Sequence, residues 1–137
     1  MLLNRIAVAP AAESKVEAIC QASDVIGRCV YISGPEVGGK YQVSTVDPQN
    51  GSKIPSIGVI VEKLTSTTCI VQLSGALKDI VTGLTPGKAL FVGAGGILSH
   101  SLPSPGISFA YVQPMGVAVD SNALLLSPSL SIIKRIA

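Results

Sequence analysis

His100 is the only histidine in this 137-residue chain, so a serine hydrolase triad or a histidine-based metal site would have to depend on it. A triad also needs an activated nucleophile, and no G-x-S-x-G segment occurs in the sequence. His100 lies in the short segment Ile97–Ser101, where a surface or interface histidine is the more common role. We therefore expect a protein that is not an enzyme, with a small hydrolase centred on His100 as an alternative.

Carboxylates and thiols are the other groups that could do chemistry. The eight carboxylates are spread over separate segments, so their spacing does not support a glycosidase pair. Cys20, Cys29 and Cys69 lack the spacing of a metal site, and their odd number argues against a disulfide framework. Cys20 and Cys29 could face each other across a hairpin, but reduced, buried thiols are the favoured interpretation. The sequence predicts no metal and no cofactor.

The segment GPEVGGKY, residues 34–41, matches part of the phosphate-binding pattern G-x-x-x-x-G-K-[ST]. Gly34, Gly39 and Lys40 have the right spacing, but Tyr41 replaces the hydroxyl residue that would hold Mg²⁺. The following YQVSTV is typical of a strand, whereas the pattern needs a helix N-terminus to bind the phosphate. A glycine-rich hairpin is therefore favoured over a nucleotide site.

Composition favours a protein partner over nucleic acid or lipid. Charged residues make up 13% of the chain and hydrophobic residues 47%, which predicts a surface of low charge that rests against another subunit. Basic residues occur singly except for Lys134 and Arg135, so no basic stripe for nucleic acid is expected. No apolar run approaches the roughly 20 residues of a membrane span, and Asn4 and Arg5 interrupt the only leader-like stretch.

Short apolar runs between turn residues predict an all-β fold. In Gly83–Ser127 the runs are Lys88–Val92, Ile97–Ser101, Ser108–Gln113, Met115–Val119 and Ala123–Leu126, which we interpret as a β-meander. Pro86-Gly87 suits a type II turn, Gly93–Gly96 a hairpin, and Pro103–Gly106 a stiff surface loop.

Earlier strands are predicted at Arg28–Ile32, Tyr41–Val46, Ser56–Lys63 and Thr67–Leu73, with Gly75–Val81 as a candidate for another. Lys15–Cys20 fits a strand better than a short helix. Ile57, Val59 and Val61 are predicted to share one face, and Ile70 and Gln72 to lie opposite Cys69. Asn50-Gly51 is predicted to adopt positive φ.

The chain is predicted to form one antiparallel β-barrel or β-sandwich, residues 13–130, between an N-terminal arm, 1–12, and a C-terminal tail, 131–137. The arm is either a frayed end or a segment that adds a strand to a neighbouring sheet, with Leu2, Leu3, Ile6 and Val8 as anchors. The tail could be a last strand or a helix.

The segments GLTPGKALFVGAGGILSHSLPSPG and YVQPMGVAVDSNALLLSPS resemble the C-terminal half of small virion proteins of tailed bacteriophages. In those proteins a G-L-[ST]-x-G-x-x-x-[FY]-[VL]-[GS] segment, a Gly-centred hairpin, a Pro-rich loop and a Y-[VL]-Q-x-x-G-[VIL]-A-[VL] strand occur in that order. Several are capsid decoration proteins, also called cement or head-stabilising proteins. The earlier SKIPSIGVIVEKLTSTTCIVQLSG is similar to the preceding part, so the resemblance covers roughly Asp24–Ser127.

The resemblance implies an all-β structural protein, trimeric, that is made in the host cytoplasm and binds the major capsid protein on the outside of the virion. Attachment would depend on the arm residues Leu2, Leu3, Ile6 and Val8, with rim contacts from Lys134 and Arg135. Gly34, Pro35, Pro103 and Pro105 would supply loop contacts. The alternative within the same resemblance is a component of the phage tail or host-adsorption apparatus.

Overall fold

The structure is a computed structural model and describes residues 14–137, which form an all-β fold as the sequence predicts. The predicted arm residues Leu2, Leu3, Ile6 and Val8 lie outside the described residues. The strands are β1 (Ser14–Ile19), β2 (Cys29–Val37), β3 (Lys40–Thr45), β4 (Gly58–Lys63), β5 (Thr68–Lys78), β6 (Ala89–Val92), β7 (Leu98–Ser99), β8 (Phe109–Val112), β9 (Pro114–Asp120), β10 (Ala123–Leu126) and β11 (Ile133–Ile136). Two single-turn 3-10 helices cover Gly51–Lys53 and Ala94–Gly96.

The first five strands close into a barrel in the order β1-β3-β2-β4-β5, and β5 pairs back onto β1. Strands β1 and β3 are parallel, with Ala18 opposite Tyr41, and the other barrel pairs are antiparallel. Closure leaves no free edge among these strands over the paired lengths. The barrel is therefore a rigid body on which the rest of the chain is built.

Strand β5 joins the barrel to the second half of the molecule. Its eleven residues pair with β1 and β4 in the barrel and then with β10, where Gly75 lies opposite Leu126. The prediction of a separate strand at Gly75–Val81 is wrong, because the strand begun at Thr68 continues through Gly75 to Lys78. The sheet then extends through β9, β6 and β7.

The five strands predicted between Gly83 and Ser127 are all present, but they do not form a simple meander. Strand β6 pairs with β7 and with β9, while β8 pairs with β11 in a separate two-stranded sheet. Residues Ile133–Ile136 of the predicted tail are therefore a strand, not a helix, and they belong to the folded body. Hydrogen bonding to β8 across the whole of β11 gives this segment its order.

Turn chemistry agrees with the prediction at two of the turns that the sequence singles out and differs from it at a third. Gly87 has a φ of 84°, and the Lys88 N–H donates to the Thr85 carbonyl at 3.1 Å, as a type II turn requires. Gly38 and Gly39 both have positive φ in the two-residue β2–β3 hairpin, so the glycine-rich hairpin is confirmed. Asn50-Gly51 is different, because Asn50 has a φ of −130° and its side chain caps the 3-10 helix at the Ser52 N–H.

Two hydrophobic cores share the barrel wall. One lies inside the barrel and takes at least one side chain from each of its five strands, comprising Ala18, Cys20, Val30, Val43, Ile60, Cys69 and Val71. The other joins the outer face of the barrel to the second half and includes Cys29, Val59, Leu77, Leu90, Met115 and Leu124. Strand β4 is thus buried on both faces, with Val59 in one core and Ile60 in the other.

One prediction of side-chain facing is wrong for this reason. Ile57 precedes β4 and packs on the inner core, whereas Val59 and Val61 belong to the outer core. Gln72 lies on the face opposite Cys69, as predicted. It is buried there, and its amide donates to the carbonyls of Ser74 and Ala76 at 3.1 and 2.9 Å. A buried amide that bonds to its own strand satisfies its polar atoms without a partner from another element.

Candidate functional site

Strand direction places five chain segments at one end of the barrel. Strand β1 begins there, and the parallel strand β3 runs in the same direction, with its first residues opposite Ala18 and Ile19 near the end of β1. Strand β2 is antiparallel to β3, so β2 runs towards this end of the barrel. Strand β4 is antiparallel to β2, so β4 runs away from it. Strand β5 leaves the barrel there, with Ser74 opposite Ser14. We call this the open end of the barrel, and the opposite end, where β1 finishes and β5 starts, the closed end.

An apolar groove of about 490 Å³ occupies the open end. Its lining comprises Ile32, Tyr41, Ser56, Ile57, Leu73, Pro128 and Leu130. Ile32 is 46% exposed, Tyr41 42% and Leu130 76%, so the groove opens to solvent. The Ser56 hydroxyl is buried and bonded to the Gly58 carbonyl, which leaves the Tyr41 side chain as the only polar one of the lining that reaches solvent. The groove is suited to apolar side chains and carries no charged residue in its lining.

The floor of the groove is continuous with the inner core. Val16, Ile57 and Leu73 are partly buried and pack against the core residues inside the barrel. Two of them, Ile57 and Leu73, also line the groove. A ligand in the groove would therefore extend an existing hydrophobic core, with good packing on one side already in place.

A second apolar groove, of about 400 Å³, lies beside the C-terminal strand β11. It is lined by Phe91, Leu102, Val112, Pro114, Ile133 and Arg135. Ile133 is 69% exposed and Leu102 is 46% exposed. This surface lies on the second half of the molecule, on strands that do not belong to the barrel.

The two basic residues predicted as rim contacts alternate along β11 and have different neighbours. Lys134 Nζ lies 4.6 Å from the centre of the Phe109 ring and 6.0 Å from that of Tyr111, a cation–π arrangement. The Arg135 guanidinium donates to the Pro103 carbonyl at 3.1 Å. Pro103 and Arg135 are thus brought together, and Arg135 helps to hold the proline-rich loop against β11.

The four predicted loop-contact residues fall in two separate places. Gly34 and Pro35 lie within β2, not in a loop, and the Pro35 carbonyl accepts a bond from the Gln42 side chain at 2.8 Å. A register shift around Gly34 marks a bulge, which is why a glycine and a proline are tolerated in this strand. Pro103 and Pro105 do lie in the loop between β7 and β8, and Pro103 is buried.

His100 connects two segments of backbone. Its Nε2 accepts a hydrogen bond from the Thr85 N–H at 2.9 Å, and its Nδ1 lies 2.9 Å from the Ala89 carbonyl oxygen. Because a carbonyl can only accept, Nδ1 carries the proton and the ring is neutral in this arrangement. The imidazole therefore ties the turn before β6 to the segment after β7.

The three cysteines are free and buried. Cys29 belongs to the outer core and Cys20 to the inner core, so the hairpin pairing of these two is wrong. The neighbour of Cys20 is Cys69 on β5. Burial raises the pKa of Cys29 to about 12, although a hydrogen bond with Ser56 acts in the opposite direction. The pKa of Cys69 is also raised to about 12, mainly by burial and to a smaller extent by the Cys20 side chain. Both are protonated thiols at neutral pH.

The closed end is held by two charged residues that the sequence did not single out. The Asp24 carboxylate is 3% exposed and accepts from the Gln21 N–H, the Thr45 N–H and the Thr45 hydroxyl, at 2.7, 3.2 and 2.7 Å. Lys63 Nζ donates to the carbonyls of Gln21, Asp24 and Ser66, at 3.1, 2.8 and 3.1 Å. The connection from β1 to β2 is thereby fixed across the barrel end. An acid in the turn-rich segment QASDVIG was the only sequence signal for it.

Lys40, from the partial phosphate-binding pattern, forms an ion pair with Glu17 across β1 and β3. Among residues 14–137, no three His, Cys, Asp or Glu side chains come together as a metal site would require. The same part of the chain contains no helix that is long and apolar enough to span a bilayer.

A scan against protein-family models gives no match to this chain, and a search of curated proteins finds no similar sequence.

Proposed function

We propose that the protein is a structural virion protein that binds the outer surface of a bacteriophage capsid and stabilises the shell by bridging major capsid proteins. The observation that carries this proposal is the exposed apolar surface of a rigid β-body. Within residues 14–137, fourteen large hydrophobic side chains are exposed, and some of them line the two grooves. Extended apolar patches on a rigid protein are typical of interaction surfaces.

The kind of partner comes from the resemblance of residues 24–127 to capsid decoration proteins. In this proposal the protein acts as a homotrimer on the virion surface after synthesis in the host cytoplasm. Leu2, Leu3, Ile6 and Val8 anchor the arm to the shell, and Lys134 and Arg135 contribute at the rim. Each contact is modest, but repeated attachment by linked subunits raises the effective affinity well above that of one contact.

Cryo-EM of the virion tests the proposal, because it gives position, copy number and symmetry together. We expect hundreds of copies on the outer shell, grouped in threes. A dozen copies or fewer, at the tail, would contradict the decoration role and favour the tail or host-adsorption alternative.

Binding of the full chain to expanded heads that lack it tests the rim residues separately. We expect Lys134→Ala to weaken binding several-fold at low salt, since a rim charge acts mainly on association. Lys88→Ala is the matched control, because Lys88 is an exposed lysine in the turn before β6. Equal binding by the two variants would remove Lys134 from the interface.

A further inference from the structure

The first described residue lies on the strand next to the groove residue Leu73. Ser14 is paired with Ser74, the residue that follows the groove residue Leu73. Tyr41 on β3, which also lines the groove, lies opposite Ala18, further along β1. The chain that precedes Ser14 therefore joins the body beside the groove.

Residues 1–13 have the length to enter this groove. A segment of this size spans at most about 43 Å when fully extended, at roughly 3.3 Å per residue. Neighbouring strands are about 4.8 Å apart, so a path from Ser14 across two strands of the barrel mouth needs only about 10 Å. Reach does not limit the choice of residues that could enter, and Leu2, Leu3, Ile6 and Val8 are all within range.

The chemistry of the segment matches that of the groove. In MLLNRIAVAPAA, Arg5 is the only charged residue and nine residues are Met, Leu, Ile, Val or Ala. The groove lining has no charged residue, and its floor is continuous with the inner core. Apolar side chains placed there would leave water and complete the barrel core at its open end.

We propose that residues Met1–Val8 dock their apolar side chains in the open-end groove of their own chain. The arm could enter the groove of its own chain or that of a second copy, and covalent attachment favours its own chain. Attachment to the same chain through a few residues gives an effective concentration in the millimolar range, well above the micromolar concentration of other copies in a dilute solution. This docking describes the free protein and does not depend on capsid binding. The arm must leave the groove before the same side chains can anchor a shell.

Disulfide trapping in the full chain tests this docking. Leu130 lines the groove and is 76% exposed. Each test variant combines Leu130→Cys with one arm substitution: Leu2→Cys, Leu3→Cys, Ile6→Cys or Val8→Cys. The native thiols are buried and remain in place. The matched control is Leu102→Cys combined with the same arm cysteines, because Leu102 lines the second groove and is 46% exposed. Oxidised glutathione is added at micromolar protein, and products are identified by non-reducing electrophoresis and peptide mass spectrometry.

We expect at least one arm cysteine to form an intramolecular disulfide with position 130 at least ten-fold faster than any forms with position 102. Disulfides between two chains only would show that the arm enters the groove of a second copy. Equal rates at positions 130 and 102 would mean that the arm has no preferred site. Either result overturns the proposal. A variant that fails to fold is recognised by circular dichroism, and the remaining arm positions then decide the result.

Discussion

The two ends of the barrel differ in the chemistry of the residues that lie across them. At the closed end, Asp24 and Lys63 bind backbone groups and Thr45 across the mouth, and each charged group has three partners. At the open end, an apolar groove leaves Ile32, Tyr41 and Leu130 exposed to solvent. The same five strands thus end in a polar network that is satisfied within the chain and in an apolar surface that is not covered by the described residues.

This difference separates stability from binding. Hydrogen bonds are directional, so a network that is already satisfied gains little from a new partner and loses much when one member is removed. Apolar contact is not directional, and an exposed apolar groove can accept any side chains of suitable shape. We therefore expect substitutions at the closed end to change the free energy of unfolding, and substitutions at the open end to change what the protein binds.

The largest effect is expected at Asp24. Asp24→Ala removes the acceptor of three hydrogen bonds in a buried position and leaves Thr45 N–H without its partner. The cost in unfolding free energy should be about 3 kcal/mol, measured by urea denaturation. Asp120→Ala is the control, because Asp120 is exposed and accepts, among the described residues, only from the neighbouring Ser121 N–H; its cost should be below about 0.5 kcal/mol. Similar midpoints for both variants would show that the closed end is not what stabilises the barrel.

A second effect concerns the thiol beneath the closed end. In the unfolded chain the Cys69 pKa has its ordinary value of 9.0, and in the folded protein burial and the Cys20 side chain raise it to about 12. Between these values the unfolded chain loses the proton first, so the free energy of unfolding falls as pH rises from 9 to 12. Cys69 alone should lower the free energy of unfolding by about 1 kcal/mol per pH unit in this range, and it should have no effect on the pH dependence below pH 9.

Urea denaturation of the native chain and of Cys69→Ala over this pH range isolates that contribution. The native chain should lose stability more steeply above pH 9, and the two curves should run parallel at neutral pH. Curves that stay parallel up to pH 11 would show that the Cys69 thiol is accessible to water. The comparison of slopes removes the contributions of Cys29, lysine and tyrosine, which both proteins share.

Local patterns in the sequence predict most of the strands but not their pairing. Alternation and turn residues locate the strands because both are properties of neighbouring residues, as at Thr68 and Gly87. They do not show that β5 continues through Gly75 into a second layer, since a glycine inside a strand looks like a turn residue. Pairing of β8 with β11 joins segments more than twenty residues apart, and nothing local encodes it.

The candidate sites were less predictable than the strands. Asp24 and Lys63 are separated by 39 residues, and their bonds are to backbone carbonyls and amides that carry no sequence signature. The open-end groove takes Ile32, Leu73 and Leu130 from distant strands and loops. Arm residues such as Leu2 could be identified from the sequence as candidate apolar anchors, but the groove proposed for them depends on the barrel topology.

The smallest effect is expected at the open end, with Leu130→Ser. Leu130 is 76% exposed, so little of its apolar area is buried on folding and the change in unfolding free energy should be at most about 1 kcal/mol. Leu64→Ser is the matched control at the closed end, because Leu64 is 44% exposed in the β4–β5 turn. Urea denaturation measures both. A loss of more than about 2 kcal/mol in the free energy of unfolding for Leu130→Ser, but not for Leu64→Ser, would be typical of truncating a buried leucine. The open end would then stabilise the fold as the closed end does.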